Sequence, residues 1–225
     1  MAWLHVLRVF TDEAGEWGNP LGVFLEGAEV PADRRQAVAA ALGFSETVFV
    51  DDRERGSCRI FTPGSELGFA GHPSVGAAWL LAREGDDIGT LRPPAGDVTV
   101  CFEGAKTFIA ARPEWSPPWQ LMQMADPAAV EALRGPPPGL DEIYCWAWED
   151  EGAGTVRSRC FAIEDGVGED EATGSAAIVL CAELGRELTI HQGEGSLLHA
   201  RPLADGLAEV GGRVALDSVR KFTVA

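Results

Sequence analysis

Two stretches of this chain look like copies of one another, and both end in the same device. The first runs Arg59-Ile-Phe-Thr-Pro-Gly-Ser-Glu-Leu-Gly-Phe-Ala-Gly71-His72-Pro-Ser-Val-Gly-Ala-Ala-Trp-Leu-Leu. The second runs Arg159-Cys-Phe-Ala-Ile-Glu-Asp-Gly-Val-Gly-Glu-Asp170-Glu-Ala-Thr-Gly174-Ser175-Ala-Ala-Ile-Val-Leu-Cys. Each reads as a strand, a polar loop, a glycine beside an imidazole or hydroxyl side chain, and an apolar helix. First-turn amides of a helix lack intrahelical partners, and the helix dipole favours negative charge there. Two such ends facing one another predict a pocket for a small anion, with acid and base groups on its rim.

The two helices, expected at Ser74–Glu84 and Ala176–Leu184 with Gly85 and Gly185 as stops, are apolar on nearly every side. A helix of that kind has to be covered all round. Short strand-like runs precede each one, at 4–10, 21–25, 47–51 and 58–62 in the first half. An amphipathic helix is expected between Pro31 and Gly43. The expected fold is therefore α/β with mixed sheets: two similar domains, each a curled mixed β-sheet around a central buried helix. Residues 1–112 form the first. Residues 113–225 form the second, which is shortened, and its last strand at 214–225 could return to either half. The Trp115-Ser-Pro-Pro-Trp119 and Gly135-Pro-Pro-Pro-Gly139 segments mark an irregular crossing between them. No parallel βαβ rhythm, G-x-G-x-x-G, P-loop or G-x-S-x-G motif is visible.

The formal net charge is −17, with 10 basic against 16 acidic residues up to residue 112 and 8 against 19 beyond it. Neither half offers the basic footprint of a nucleic-acid binder, and an anionic substrate would need local compensation such as helix ends. No run of apolar residues is long enough for a membrane span. The N-terminal Met-Ala-Trp-Leu-His-Val-Leu-Arg-Val-Phe alternates like a strand and lacks the pattern of a signal peptide. Five cysteines without a C-x-x-C pair suggest reduced thiols in a cytoplasmic protein. Neither they nor the four histidines show metal-ligand spacing, so no metal is expected.

Glu46 lies between Phe44 and the apolar run Val48–Val50. A carboxylate desolvated there would have its pKa raised toward the proton-shuttling range; the other reading is a solvent-facing residue at a strand edge. His72 sits at a helix start, where imidazolium is disfavoured, and is either a neutral hydrogen-bonding partner or a capping or core histidine. Asp170, in the mirrored loop, either caps the second helix or orients a proton donor. Gly71 and Gly174 allow close approach to the backbone, and Ser175 has the small side chain and free amide of an anion hole. Asn19 makes a turn or meets a substrate carboxylate, and Gln192 stands ambiguously at a strand end. Asp165, Glu169 and Glu171 read as solvated loop charges. The tryptophans at 115, 119, 146 and 148 read as core and interface.

Together these stretches resemble the PhzF-like family, named for the isomerase of phenazine biosynthesis. The matching residues are Val9-Phe-Thr-Asp, Gly18-Asn-Pro-Leu-Gly-Val, Leu42-Gly-Phe-Ser-Glu46-Thr, Arg59-Ile-Phe-Thr-Pro, Phe69-Ala-Gly-His72-Pro-Ser-Val-Gly-Ala-Ala, Glu169-Asp170-Glu-Ala-Thr-Gly174-Ser175-Ala-Ala and Ile190-His-Gln-Gly. They occur in family order over roughly residues 4–202. The resemblance implies a diaminopimelate epimerase-like fold with the site between two domains, proton transfer without a cofactor, and a homodimer. It implies that Glu46 is the shuttling base, that His72 and Asp170 are its partners, and that Gly71, Gly174 and Ser175 cradle a substrate carboxylate; Gln192 falls in a family-like strand, and Gln192 and Asn19 are taken as candidate substrate contacts. Glu171 stands where the family usually has proline, a change expected to loosen the loop placing Asp170. The function expected is a 1,3-proton shift on a small anionic metabolite. The alternatives are an epimerase, whose relatives use paired cysteines, and a non-catalytic carboxylate binder.

Overall fold

The computed structural model describes residues 2–163 and 166–223; Asp165, read above as a solvated loop charge, lies outside them. The alternating N-terminal run forms β1 (Ala2–Thr11), and β2 (Asn19–Phe24) folds back on it antiparallel. A 3₁₀ turn and α1 (Arg35–Leu42) follow, ended by Gly43 in the left-handed conformation. This returns the chain to β3 (Glu46–Asp52), parallel to β2. Next come β4 (Ser57–Phe61), the short β5 (Glu66–Leu67), α2 (Gly71–Arg83), β6 (Thr90–Leu91), β7 (Val98–Glu103) and β8 (Lys106–Ala111). Beyond the crossing lie β9 (Gln120–Gln123), α3 (Pro127–Glu131), β10 (Glu142–Asp150), β11 (Thr155–Ala162) and β12 (Gly168–Asp170). The chain ends with α4 (Gly174–Leu184), β13 (Leu188–Gln192), β14 (Ser196–Pro202) and β15 (Ala208–Phe222). Three parallel pairs, β2–β3, β9–β10 and β11–β13, each enclose a helix in sequence. They escaped the sequence pattern because each is flanked by antiparallel neighbours, which break the βαβ rhythm.

β15 joins the sheet. Its first residues pair with β14 on one edge and β8 on the other, and residues 213–222 run along β1. The terminal strand therefore serves both halves. Glycine is required at the crossing: a Cβ on Gly211 would lie 2.3 Å from the Phe108 ring, and one on Gly212 would lie 2.9 Å from the Leu197 carbonyl.

The sheet curls around α2 and α4. Val75, Leu80 and Leu81 of α2 and Ile178 and Leu180 of α4 are wholly buried in one continuous cluster with Leu7, Val9, Ile109, Tyr144 and Val210. Each such side chain contributes about 1.5–3 kcal/mol of transfer free energy. Gly76 lets α2 lie directly on Val9 and Leu21. Among the described residues no helix is long and apolar enough to cross a membrane.

Both central helices begin earlier than their apolar periodicity indicates, at Gly71 and Gly174 instead of Ser74 and Ala176. Glycine and proline fall outside the apolar periodicity, yet first-turn residues need no intrahelical donor, so both are tolerated there. The two starts touch. A Cβ on Gly71 would lie 2.6 Å from the Gly174 carbonyl carbon, and one on Gly174 would lie 2.8 Å from the His72 amide nitrogen. Gly71→Ala and Gly174→Ala are each expected to cost about 1–3 kcal/mol, because backbone has to move. Their double variant should lose less than the sum, since both relieve one contact. Chemical denaturation of the three variants measures this.

Candidate active site

Gly43 turns the chain out of α1 so that Glu46 opens β3, opposite Leu21 of β2. Its side chain is only 14% exposed. His72 is the second residue of α2 and is 1% exposed. Its Nδ1 lies 2.9 Å from Glu46 Oε2, yet the two are not aligned as a hydrogen bond. Both ring nitrogens of His72 and Glu46 Oε2 lack an aligned partner. Buried polar atoms are nearly always paired, so three unpaired ones on adjoining side chains mark a place built to meet something else.

Asp170 comes from the second half, at the end of β12, and is buried. It does not cap α4, which has no side-chain cap. Instead its Oδ1 accepts from Asn19 Nδ2 at 2.7 Å and its Oδ2 from Thr173 Oγ1 at 2.6 Å. Burial, reinforced by the charge of Glu46, pushes its pKa up to about 6; His72, Thr173 and Asn19 pull the other way. Asp170 lines the same cleft as Glu46, against which His72 lies.

Asn19 is neither a plain turn residue nor open to the cleft. It is 2% exposed, donates also to the Ala172 carbonyl at 3.0 Å, and accepts from Ser45 Oγ at 3.0 Å. Gln192 also sits behind the site, fully buried. Its Nε2 donates to the Asp170 carbonyl and to Thr173 Oγ1, while its Oε1 accepts from the Thr173 amide and from Tyr144. Its amide is saturated by the protein, so in this structure it holds the Asp170–Thr173 loop and does not face a ligand.

Glu169 and Glu171 are not free loop charges. Glu169 forms a forked pair with Arg159. Glu171 accepts from the amides of Glu194 and Gly195 and from Ser196 Oγ. It therefore ties the loop by hydrogen bonds at the position where the resemblance leads one to expect proline.

Glu46, Asp170, Ser45, Thr173 and Ser175 line one small cleft together with the apolar Leu67, Phe69, Pro117 and Trp119. About 20 Å³ is left inside, room for roughly one water molecule. The first-turn amides of α2 and α4 meet beside it, with no side-chain cap competing for them. Anion binding is what such paired ends favour. Sequence reasoning missed Ser45, Thr173 and Trp119. Ser45 and Thr173 adjoin recognised residues, but nothing local distinguishes Trp119 from a core tryptophan.

None of the five cysteines lines this cleft. Burial pushes the Cys58 and Cys181 thiols up to about 12 and holds Cys160, the strand partner of Asp170, well above its ordinary value.

A family model described as phenazine biosynthesis-like protein (PhzC-PhzF) matches residues 7–128. Trans-2,3-dihydro-3-hydroxyanthranilate isomerase of Pseudomonas aeruginosa is 30% identical, over 84% of this chain and 82% of its own. Among solved structures, a PhzF-family phenazine biosynthesis protein of Bacillus anthracis superposes with a TM-score of 0.76 at 18% identity, covering 99% of each chain. A hydroxyproline epimerase of Agrobacterium vitis superposes at 0.64 and 13%, covering 97% of this chain and 90% of its own. The fold is thus the one shared by PhzF proteins and the proline racemase and diaminopimelate epimerase group. The sequence match and the superpositions lead to one statement of kinship: this chain belongs to the PhzC-PhzF family of phenazine biosynthesis-like proteins.

Proposed function

We propose that this protein is a cofactor-independent isomerase that moves a proton between carbons of a small, flat carboxylate held between two domains, residues 1–112 and 113–225. The observation that carries the proposal is the unpaired Glu46–His72 couple, 2.9 Å apart and nearly buried, beside the meeting point of two helix starts. The amides of Gly71, His72, Gly174 and Ser175 hold the carboxylate. Glu46 removes a proton from one carbon and returns it to another, a 1,3-shift. His72 and Asp170 polarise the substrate and keep the shuttle in register. The apolar wall of Leu67, Phe69 and Trp119 suits an unsaturated skeleton better than a hydrated polar one.

The positioned base supplies about 10²–10⁴-fold in rate, and anion stabilisation and alignment supply the rest. The buried free thiols of Cys58, Cys145, Cys160 and Cys181 fit a cytoplasmic setting, and a homodimer is what the family resemblance implies. A two-thiol epimerase mechanism has no support from the cleft, whose ionisable groups are carboxylates and an imidazole.

The test is solvent-deuterium incorporation into trans-2,3-dihydro-3-hydroxyanthranilate, the compound named for the Pseudomonas aeruginosa relative, and into a panel of small unsaturated carboxylates. Glu46→Gln is expected to lower incorporation by about 10²–10⁴-fold with its circular dichroism unchanged; equal incorporation in wild type and variant removes Glu46 from the mechanism. Deuterium found only at the carbon that lost its proton would favour epimerisation over a shift.

The raised pKa of Asp170 gives a second expectation. Its carboxyl holds a proton more tightly in the folded than in the unfolded chain, so the folded state binds more protons between the ordinary value of 3.8 and about 6. Stability contributed by this group is therefore present at low pH and lost as pH rises through that window. Urea midpoints of wild type minus those of Asp170→Asn should fall between pH 4 and 6 and level off above 7. A flat difference would contradict the burial-driven shift.

A further inference from the structure

Between β8 and β9 the chain crosses the front of the cleft as a strap, residues 112–119, made stiff by Pro113, Pro117 and Pro118. It is pinned at both ends. The Trp115 ring packs edge-on against Phe69, with centroids 6.2 Å apart, and covers Gly96 so closely that a Cβ there would lie 2.9 Å from it. Ser116 Oγ donates to the Ser175 carbonyl at 3.3 Å. Trp119, partly buried, closes the cleft, and its Nε1 donates to Ser175 Oγ at 3.0 Å.

The direction of that last bond has a consequence. An indole N–H can only donate, whereas a serine hydroxyl has one hydrogen to give and lone pairs to receive. With Trp119 donating, Ser175 Oγ is committed as an acceptor on that side, and its own hydrogen has to turn elsewhere. Ser74, in the first turn of α2, spends its hydroxyl on the Ala70 carbonyl at 2.7 Å, whereas His72 stands at the place in α2 that matches Ser175. Ser175 lines the cleft at the start of α4, beside the amides of Gly174 and Gly71.

We propose that Trp119 is a positioning residue: by donating to Ser175 Oγ from the strap, it aims the Ser175 hydroxyl hydrogen at the anionic group of the ligand, adding a side-chain donor to the paired helix starts. This rests on the reading of the cleft as a carboxylate site. It makes the strap part of the recognition surface, so that the site is complete only when the crossing segment is seated.

The experiment is calorimetric titration of acetate and benzoate into wild type, Trp119→Phe, Ser175→Ala and the double variant, with circular dichroism to check folding. Phenylalanine keeps an aromatic ring and removes the N–H. Loss of one hydrogen bond to a charged group is expected to weaken binding about tenfold or more in each single variant. The double variant should bind no more weakly than Ser175→Ala alone, because the indole acts through the hydroxyl. A purely structural role for Trp119 would instead weaken binding equally with or without the hydroxyl. Wild-type affinity in Trp119→Phe, wild-type affinity in Ser175→Ala, or additive losses in the double variant each overturn the inference and leave the anion site standing. If wild type binds neither carboxylate, the anion-site reading fails and the inference fails with it.

Discussion

The contact on which this molecule depends is backbone against backbone: the first turn of α2 against the first turn of α4. Nothing larger than hydrogen fits at Gly71 or Gly174. The approach aligns two sets of unpaired amides and two positive dipole ends within one small volume. Two like ends repel, so the pairing needs compensation from the rest of the fold and from whatever negative charge it holds. The compensation from the fold is visible in the burial of both helices in one apolar cluster, enclosed by a sheet whose last strand ties the halves together.

Around that contact the protein arranges acids with very different surroundings. Asp170 is bonded from both sides, by Asn19 and Thr173, and is still driven toward the protonated form by burial and by Glu46. Glu46 and His72 are close but left without aligned partners. Behind the loop, Tyr144, Ser158, Gln192 and Thr173 form a buried chain of bonds that fixes where Asp170 points. Glu171 secures the other side of the loop from the turn at 194–196. A carboxyl placed this way has little freedom to relax, which is the condition for its charge state to depend on its neighbours.

The parts of the site that were legible in the sequence are those written as local chemistry. Gly-His-Pro and Thr-Gly-Ser announce two helix starts of unusual type, and Glu46 stands out as a charge inside an apolar run. The misreadings concern side chains whose role depends on residues far away in sequence. Gln192 resembles a ligand contact until Tyr144 and Thr173 saturate its amide. Glu171 resembles a lost proline until the 194–196 turn appears opposite it. Trp119 resembles core until the strap lays it on Ser175. Each partner in these pairs lies at least nineteen residues away, beyond the range of any periodicity.

The sequence alone determined the repeated strand–loop–helix unit, the all-round apolar helices that demand to be wrapped, the glycines at their starts, and a net negative charge in both halves. These follow from covalent and short-range rules: steric freedom at glycine, the empty donors of a first turn, and the cost of leaving apolar surface wet. Tertiary structure alone decided that the two starts touch, that Glu46 meets His72, that Asp170 is buried deeply enough to shift its proton affinity, and that the crossing segment covers the cleft. Those depend on distances between segments separated by tens of residues or more, or on how far water is excluded. Both are properties of the assembled sheet and not of any stretch within it.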